Sequence, residues 1–520
     1  MLPSMVQAER LSGQQQVSFA GYDHNAVVRE GWLYDMKNLT GEWYPVLSPR
    51  RGRTRLRTLT RPNGLFSAGK LCWVDGTEFY FDGVRKGTVT DCKKRLARLG
   101  AWVLIWPDKA YYNTATDTFG ALEASWSGTA SITNYAYDAE SASAEEVYQG
   151  NAITTTGAAF PFEAGEAVFL SGSSEAGNDR SAVIREVRSG GRMLVFSNNT
   201  FTEHAGERLT LERKVPDLDF FCENENRLWG CKGNEIFASA LGNPFRWNNY
   251  EGLATDSYAV TVGSEGDFTG AASFLGYAMF FKADAIHKIY GGKPANFQAM
   301  SSAVSGVADG GGESLAVAGE MLFYLSRTGV VSYSGGVPVS VSAPFGPVRF
   351  DEAVGGSDGR KYYISLREGT GWTLFVYDTR TGLWHKEDDT HALGFAQEDG
   401  VLYLLDAADN GLYSVGTGGY EDIGWMAETG DFTDAGPDKA GVVRLQLRFE
   451  ADEGATVKVE IQFDSDGVWR PVKELASTRK RSYVLPIIPR RCDHYRLRLS
   501  GTGGCRVFSL TRQFYRGSEL

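Results

Sequence analysis

The sequence predicts an all-β chain: a β-propeller of six or seven blades, interrupted by an inserted small β-barrel or sandwich and followed by a C-terminal β-sandwich. Three observations lead there. A self-similar unit of two adjacent strands recurs along most of the chain, the recurrence breaks between Asn113 and Phe220, and after Gly418 the pattern changes to clean two-residue alternation. The composition agrees: 62 Gly, only 16 Pro and 12% aromatics suit many short strands joined by tight turns. At 520 residues the chain exceeds what one hydrophobic core sustains, so several domains are expected.

Taken in order, residues 1–62 read as an N-terminal arm and lead-in. Its aromatics (Phe19, Tyr22, Trp32, Tyr34, Trp43, Tyr44) are expected to pack on the body of the protein, leaving the arginines that follow exposed. The two-strand unit then appears at Phe66 to Val84 and Leu99 to Asn113, and again at Phe220 to Ala240, Ala272 to Tyr290, Leu315 to Tyr333 and Ala392 to Val415. A longer variant runs from Gly359 to Lys386. Turn residues are Asp, Asn, Gly or Lys, and the period is roughly 35 to 50 residues once the insertion is set aside, as in propeller blades.

Residues 63–124 and 214–418 are therefore the two parts of the propeller, and 125–213 the inserted domain, with strands at Ala167 to Leu170, Ala182 to Val187 and Met193 to Phe196. In residues 419–520, Val443, Leu445, Leu447 and Phe449 alternate with Arg444, Gln446 and Arg448, and Val457, Val459, Ile461 and Phe463 with Lys458, Glu460 and Gln462. Such alternation marks antiparallel sheets with one wet face, and about 100 residues is a normal size for a sandwich.

The chemistry legible in the chain is sparse. No two of the six histidines are spaced as metal ligands, and no metal site or cofactor is expected. Arg491, Cys492, Asp493 and His494 face alternate sides of a strand, and Asp464 to Gly467 reads as a hairpin turn, not as a calcium loop. With Trp469 that turn faintly resembles the Asp-box of propeller glycosidases, although it occurs once and outside the propeller. No nucleophile-elbow, P-loop or dinucleotide motif is present, and the expectation is that the chain is not an enzyme. The six scattered cysteines read as reduced thiols, with a Cys222–Cys231 hairpin pair as the alternative.

The N-terminus shows no secretory leader, and no apolar run is long enough to span a bilayer. A net charge of −11 argues against a chain that mainly grips nucleic acid. Two basic stretches stand out against it, Arg50, Arg51, Arg53, Arg55 and Arg57, and Arg479, Lys480, Arg481, Arg490 and Arg491. These are the candidate subunit or phosphate contacts, with a solvated strand face as the competing reading.

Two segments carry a resemblance. Asn38, Leu39, Pro45, Leu47, Arg50 or Arg51, and Gly52 match the arm that precedes the propeller in phage tail proteins. Arg227, Trp229, Ile236, Phe237, Ser239, Gly242, Asn243, Pro244 and Trp247 form a blade similar to one in the packaged-DNA stabilisation and tail nozzle proteins of short-tailed bacteriophages. The resemblance covers about two-thirds of the chain. It implies a virion protein assembled in the host cytoplasm, forming a homo-oligomeric ring, commonly a hexamer, below the portal and adaptor. Genomic DNA would pass through its channel, whose acidic wall repels phosphate, and no active-site residue carries over. The alternatives are a receptor-binding or carbohydrate-cleaving tail propeller and a host interaction platform, since a propeller by itself does not select a function.

Overall fold

A computed structural model of the chain describes residues 11–138, 147–197, 199–420, 423–433 and 439–516. The first ten residues, part of the stretch read as lacking a leader, lie outside the described residues. The fold is all-β, and seven four-stranded antiparallel sheets form the blades of a propeller: residues 62–88, 95–121, 220–261, 270–302, 316–340, 352–386, and 392–414 joined by 54–58. All seven repeating units fall in these sheets, so of the six or seven blades expected, seven are present.

The chain divides into two compact units, Arg61–Ala308 and Met1–Thr60 with Asp309–Leu520. In the first, four blades stack by interleaving apolar side chains. Cys72, Val74 and Phe79 of the first blade meet Val103, Ile105 and Tyr112 of the second, and Trp229, Cys231 and Ile236 of the third meet Ala278, Phe280 and Ile289 of the fourth. Both faces of a blade are covered, which explains why the second strands read as continuous apolar runs, Trp102–Trp106 (WVLIW) and Tyr277–Lys282 (YAMFFK), without alternation.

Between the second and third blades, six strands close a barrel in the order Ala124–Asp138, Val147–Thr154, Met193–Phe196, Ser181–Arg188, Ala167–Ser171, His204–Arg213. Its core includes Trp126, Ile153, Val168, Ile184, Phe196 and Leu211. The first and last strands pair Ala124 with Arg213, so the insertion enters and leaves the blade at one place. There the buried Arg213 donates to Glu166 Oε1 at 2.5 Å and to the Leu122 carbonyl at 2.9 Å.

The second unit holds three blades and a two-sheet sandwich. The sandwich strands identified by alternation turn Leu445, Leu447, Phe449, Val457, Val459, Ile461 and Phe463 into the core, while Val443 is corrected: a register shift there buries Val442 instead. Both sheets are completed from the N-terminal side, by Leu11–Gln16 paired with Cys505–Arg516 and by Leu33–Lys37 paired with Gly424–Thr429. Thr54–Thr58 supplies the fourth strand of the seventh blade, pairing with Gly411–Ser414.

The lead-in is therefore corrected: these residues supply strands to both sandwich sheets and to the seventh blade. The expected exposure of its arginines holds for Arg51, Arg55 and Arg57 and is corrected for Arg50 and Arg53. Arg50 Nη2 lies 2.9 Å from Asp388 and Arg53 Nη2 lies 2.8 Å from Glu387, and both arginines are about nine-tenths buried. Two carboxylates adjacent on the sixth blade draw them in. Of the arm aromatics, Phe19 and Tyr22 are buried, whereas Trp43 and Tyr44 stay about half exposed.

Candidate functional site

The third blade departs from its neighbours between its third strand, Glu235–Ala238, and its fourth, Tyr258–Thr261, where a long excursion replaces a tight turn. Arg227 organises it. This buried guanidinium donates to the carbonyls of Ser239 (Nη1, 2.8 Å) and Ala254 (Nη2, 2.8 Å), and to that of Asp256. The Leu228 amide donates to Ser239 Oγ at 3.0 Å, Phe245 is set by an Asn243 side-chain acceptor at 2.9 Å, and the buried Trp247 indole donates to Pro244 O at 2.8 Å. Residues that look like a family signature in the sequence are thus a clamp on residues 239–257.

The clamped loop is bonded to the barrel. Arg246 donates to Ala164 O and Asn249 Nδ2 to Gly165 O. Gly165 has φ +83, and a Cβ there would stand 2.5 Å from the Arg246 guanidinium, so only glycine permits this contact.

Beside these bonds, loop and barrel enclose a cleft of about 360 Å³, lined by Ser181, Ala182, Val183, Phe196, Ser197 and Thr200 from the barrel and Asn248, Tyr250 and Glu251 from the loop. The Tyr250 ring is 58% exposed. Burial and the neighbouring charge of Asp256 raise the Glu251 carboxyl above its usual range, against the opposing pull of Arg185 and Arg246. The Asp256 carboxylate accepts the amides of Glu251 (2.6 Å) and Leu253 (2.9 Å), which fixes the turn that carries Glu251. An aromatic face, several hydroxyls, an amide and a carboxyl that keeps its proton to higher pH suit a polyhydroxylated ligand.

The ten cations singled out in the sequence lie elsewhere and are largely engaged within the chain. Arg50 and Arg53 are in the buried pairs described above; Arg51 stacks over Tyr420, and Arg55 pairs with Asp409 and Tyr413. Arg57 sits on the closing strand of the seventh blade. On the sandwich, Lys480 lies 3.7 Å over Phe508, Arg490 reaches Asp466 at 4.0 Å, and Arg491 lies over Tyr515; Arg479 caps a turn at Ser477, and Arg481 begins a strand. Sequence reasoning missed Tyr250 and Glu251. The available signal was the length of polar chain after Trp247, more than two paired strands require.

All six cysteines are free thiols, Cys222 and Cys231 included, and burial pushes Cys222 up to about 12. Among the described residues no three His, Cys, Asp or Glu side chains cluster as metal ligands, and no helix is long and apolar enough to cross a membrane.

No protein-family model and no curated protein matches the chain. Solved structures are similar at low identity. They include PorZ, a surface component of the type-IX secretion system of Porphyromonas gingivalis (13% identity, 88% of this chain and 78% of that one, TM-score 0.28). Also among them are the phage phi92 endosialidase (9%, 91% and 75%, TM-score 0.24) and an exo-β-1,3-galactanase of Phanerochaete chrysosporium solved with galactose (8%, 89% and 100%, TM-score 0.24). Sugar-cleaving proteins recur among these structures, which stands against the expectation that the chain is not an enzyme without assigning it an activity. At such identities and TM-scores the likeness transfers neither a residue nor an activity.

Proposed function

We propose that the chain is a carbohydrate-recognising propeller of a bacteriophage tail, which binds a saccharide in the cleft between the third-blade loop and the barrel. The observation that carries this reading is the lining of that cleft: the exposed Tyr250 ring beside Glu251, Asn248 and the barrel hydroxyls, on a loop held by Arg227 and Trp247. Rigid placement matters, since a preformed site loses less entropy on binding than a mobile one. If the bound glycan is cleaved, Glu251 is the acid, because its raised carboxyl is the one in the cleft that retains a proton for a leaving oxygen. The assignment to a tail rests on the resemblance of the arm and third blade.

The test is binding of the purified chain to an array of bacterial surface polysaccharides, followed by assay of reducing ends released from any bound glycan. Tyr250→Ala is expected to weaken binding about tenfold or more, the usual worth of a lost aromatic platform of about 1.5 kcal/mol. Glu251→Gln should abolish any release while leaving binding. A wild-type chain that binds no glycan overturns the reading.

A second reading, a ring at the tail axis made of copies of this chain and docked to portal and adaptor, is supported by one observation. The residues of the resemblance serve architecture: Arg227, Ser239 and Trp247 clamp a loop, and Asn38 and Arg50 anchor the arm. Electron microscopy of virions and of the purified chain separates the two, a closed axial ring favouring the second and a peripheral tail position the first.

A further inference from the structure

We propose that the sandwich carries a hydrolytic centre of its own, in which Ser465, His494 and Asp493 pass the acyl group of a small ester to water. The argument starts from strand register. Thr456–Phe463 pairs with Tyr495–Thr502 so that Phe463 stands opposite Tyr495, and this sets the turn after the first strand beside the residues that precede the second. Asp464 ties the two segments: its amide donates to His494 O at 3.0 Å, and its carboxylate accepts the Asp493 amide at 2.7 Å and the His494 amide at 3.4 Å.

Within that frame Ser465 Oγ lies 2.7 Å from His494 Nε2, and His494 Nδ1 lies 3.0 Å from Asp493 Oδ2. The carboxylate can only accept, which assigns the proton to Nδ1 and leaves Nε2 as the acceptor of the serine hydroxyl proton. This is the relay of nucleophile, base and orienting acid that activates serine in acyl transfer on unrelated folds. Asp464 and Ser465 both have left-handed backbone, φ +51 and +50, an uncommon conformation for residues with side chains. It presents the Ser465 hydroxyl outward, while the His494 side chain is only 20% exposed.

The Asp466 carboxylate, next to Ser465, holds Arg470 at 2.6 Å and has the half-exposed Arg490 at 4.0 Å, which fixes the turn that carries the serine. A second serine–histidine pair lacks these features. Ser264 Oγ lies 3.0 Å from His287 Nε2, but His287 is 1% exposed, packs edge-on against Phe268, and is lowered to about 4 by burial and the Lys282 charge. That pair is a core hydrogen bond.

In the reaction, Ser465 Oγ attacks the ester carbonyl carbon while its proton passes to His494 Nε2. The carbonyl carbon to alkoxy oxygen bond then breaks, and the departing alcohol takes that proton. Water attacks the acyl-serine, giving its proton to His494, and the carboxylic acid leaves as the proton returns to Ser465 Oγ. Because the hydroxyl stands exposed on an open turn, the substrate class is a short acyl ester, such as an acetyl group, on an accessible alcohol.

The experiment treats the full chain with a fluorophosphonate probe and locates the label by peptide mass spectrometry, with p-nitrophenyl acetate turnover measured in parallel. Label is expected on Ser465 and none in Ser465→Ala. Turnover should fall about a hundredfold in His494→Ala, the lower range for removing a general base, with partial rescue by added imidazole. Asp493 is a positioning residue, and Asp493→Asn should lower kcat more than it changes KM and should displace the pH profile. An unlabelled wild-type chain overturns the proposal, as does labelling that proceeds equally fast in His494→Ala. The wild-type result decides the matter even if a variant is unstable, and it is independent of whether the cleft binds sugar.

Discussion

The sixth and third blades each hold a segment that does not belong to the repeat, and they do so by opposite means. On the sixth, Arg50 and Arg53 from the N-terminal arm meet Glu387 and Asp388, a compensated set of charges mostly out of water. On the third, Arg227 holds residues 239–257 through backbone carbonyls, with no carboxylate in its hydrogen bonds. The electrostatic consequences differ. Burial works against the Arg53 charge, and Glu387 and Asp388 more than restore it, whereas burial leaves Arg227 below the usual guanidinium value despite the partial help of Asp256 and Glu225. A grip between charges depends on both partners keeping their ionisation. A grip on carbonyls depends on backbone geometry, and carboxylate titration reaches it only through Asp256, which holds the turn at Glu251 and Leu253.

The sharpest way to break that contrast is Arg53→Met. It leaves Glu387 and Asp388 with Arg50 as their remaining paired cation, and loss of one member of a buried charged set costs about 3–5 kcal/mol. Urea unfolding of the chain should show it, with new protease cleavage within residues 38–53. Arg227→Met comes next, at about 2–4 kcal/mol, because two or three carbonyls lose a charged donor but no charge is orphaned. The same variant should weaken glycan binding at the cleft, since Tyr250 and Glu251 ride on the released loop.

Gly165→Ala is expected to cost about 1–2 kcal/mol through a positive φ and the displaced Arg246 guanidinium, and to mobilise the loop without unfolding the blade. Mild acid has the smallest effect and sharpens the contrast most. Burial pushes the Asp388 carboxyl up, but Arg53, Arg50 and the hydrogen bond from Thr390 bring it below the usual carboxylate value. Its folded value being depressed, the stability it contributes is complete above the unfolded value of about 3.9 and is lost as pH falls through the folded one. Hydrogen exchange should therefore show residues 38–53 losing protection below about pH 4 while the ends of the third-blade loop that Arg227 holds, at Ser239 and Ala254, keep theirs; parallel loss in both would contradict the comparison.

Much of the architecture was legible because it is local. Tight turns at Asp, Asn and Gly between short apolar strands marked all seven blade units, and the alternation of Val443 to Phe449 and Val457 to Phe463 marked the sandwich. The closing strand of the seventh blade was not legible, since Thr54–Thr58 (TRLRT) is exposed along its whole length and has no apolar face to announce its sheet. Arg50 and Arg53 of the arm were misjudged for a related reason. Charge alone marks a residue as solvated, and only the adjacent Glu387 and Asp388 make burial affordable for Arg50 and Arg53.

The candidate sites divide along the same line. Trp247 and Arg227 were conspicuous in the sequence, yet their work is to hold a loop whose exposed Tyr250 and Glu251 were not. Asp493 and His494 were read as strand residues facing opposite sides, but they form a bend between two strands in which their side chains meet at 3.0 Å; Ser465 was read correctly as part of a turn, a reading silent about His494. By itself the sequence determined strand content, repeat number to within one blade, the place of the insertion and the faces of the sandwich strands, because these follow from turn chemistry and two-residue periodicity among near neighbours. Only the tertiary structure decided which N-terminal strands complete the seventh blade and the sandwich, which carboxylates meet Arg50 and Arg53, and that Ser465 meets His494 across 29 residues. Those pairings join residues far apart in the chain, and their register is set by the packing of whole sheets.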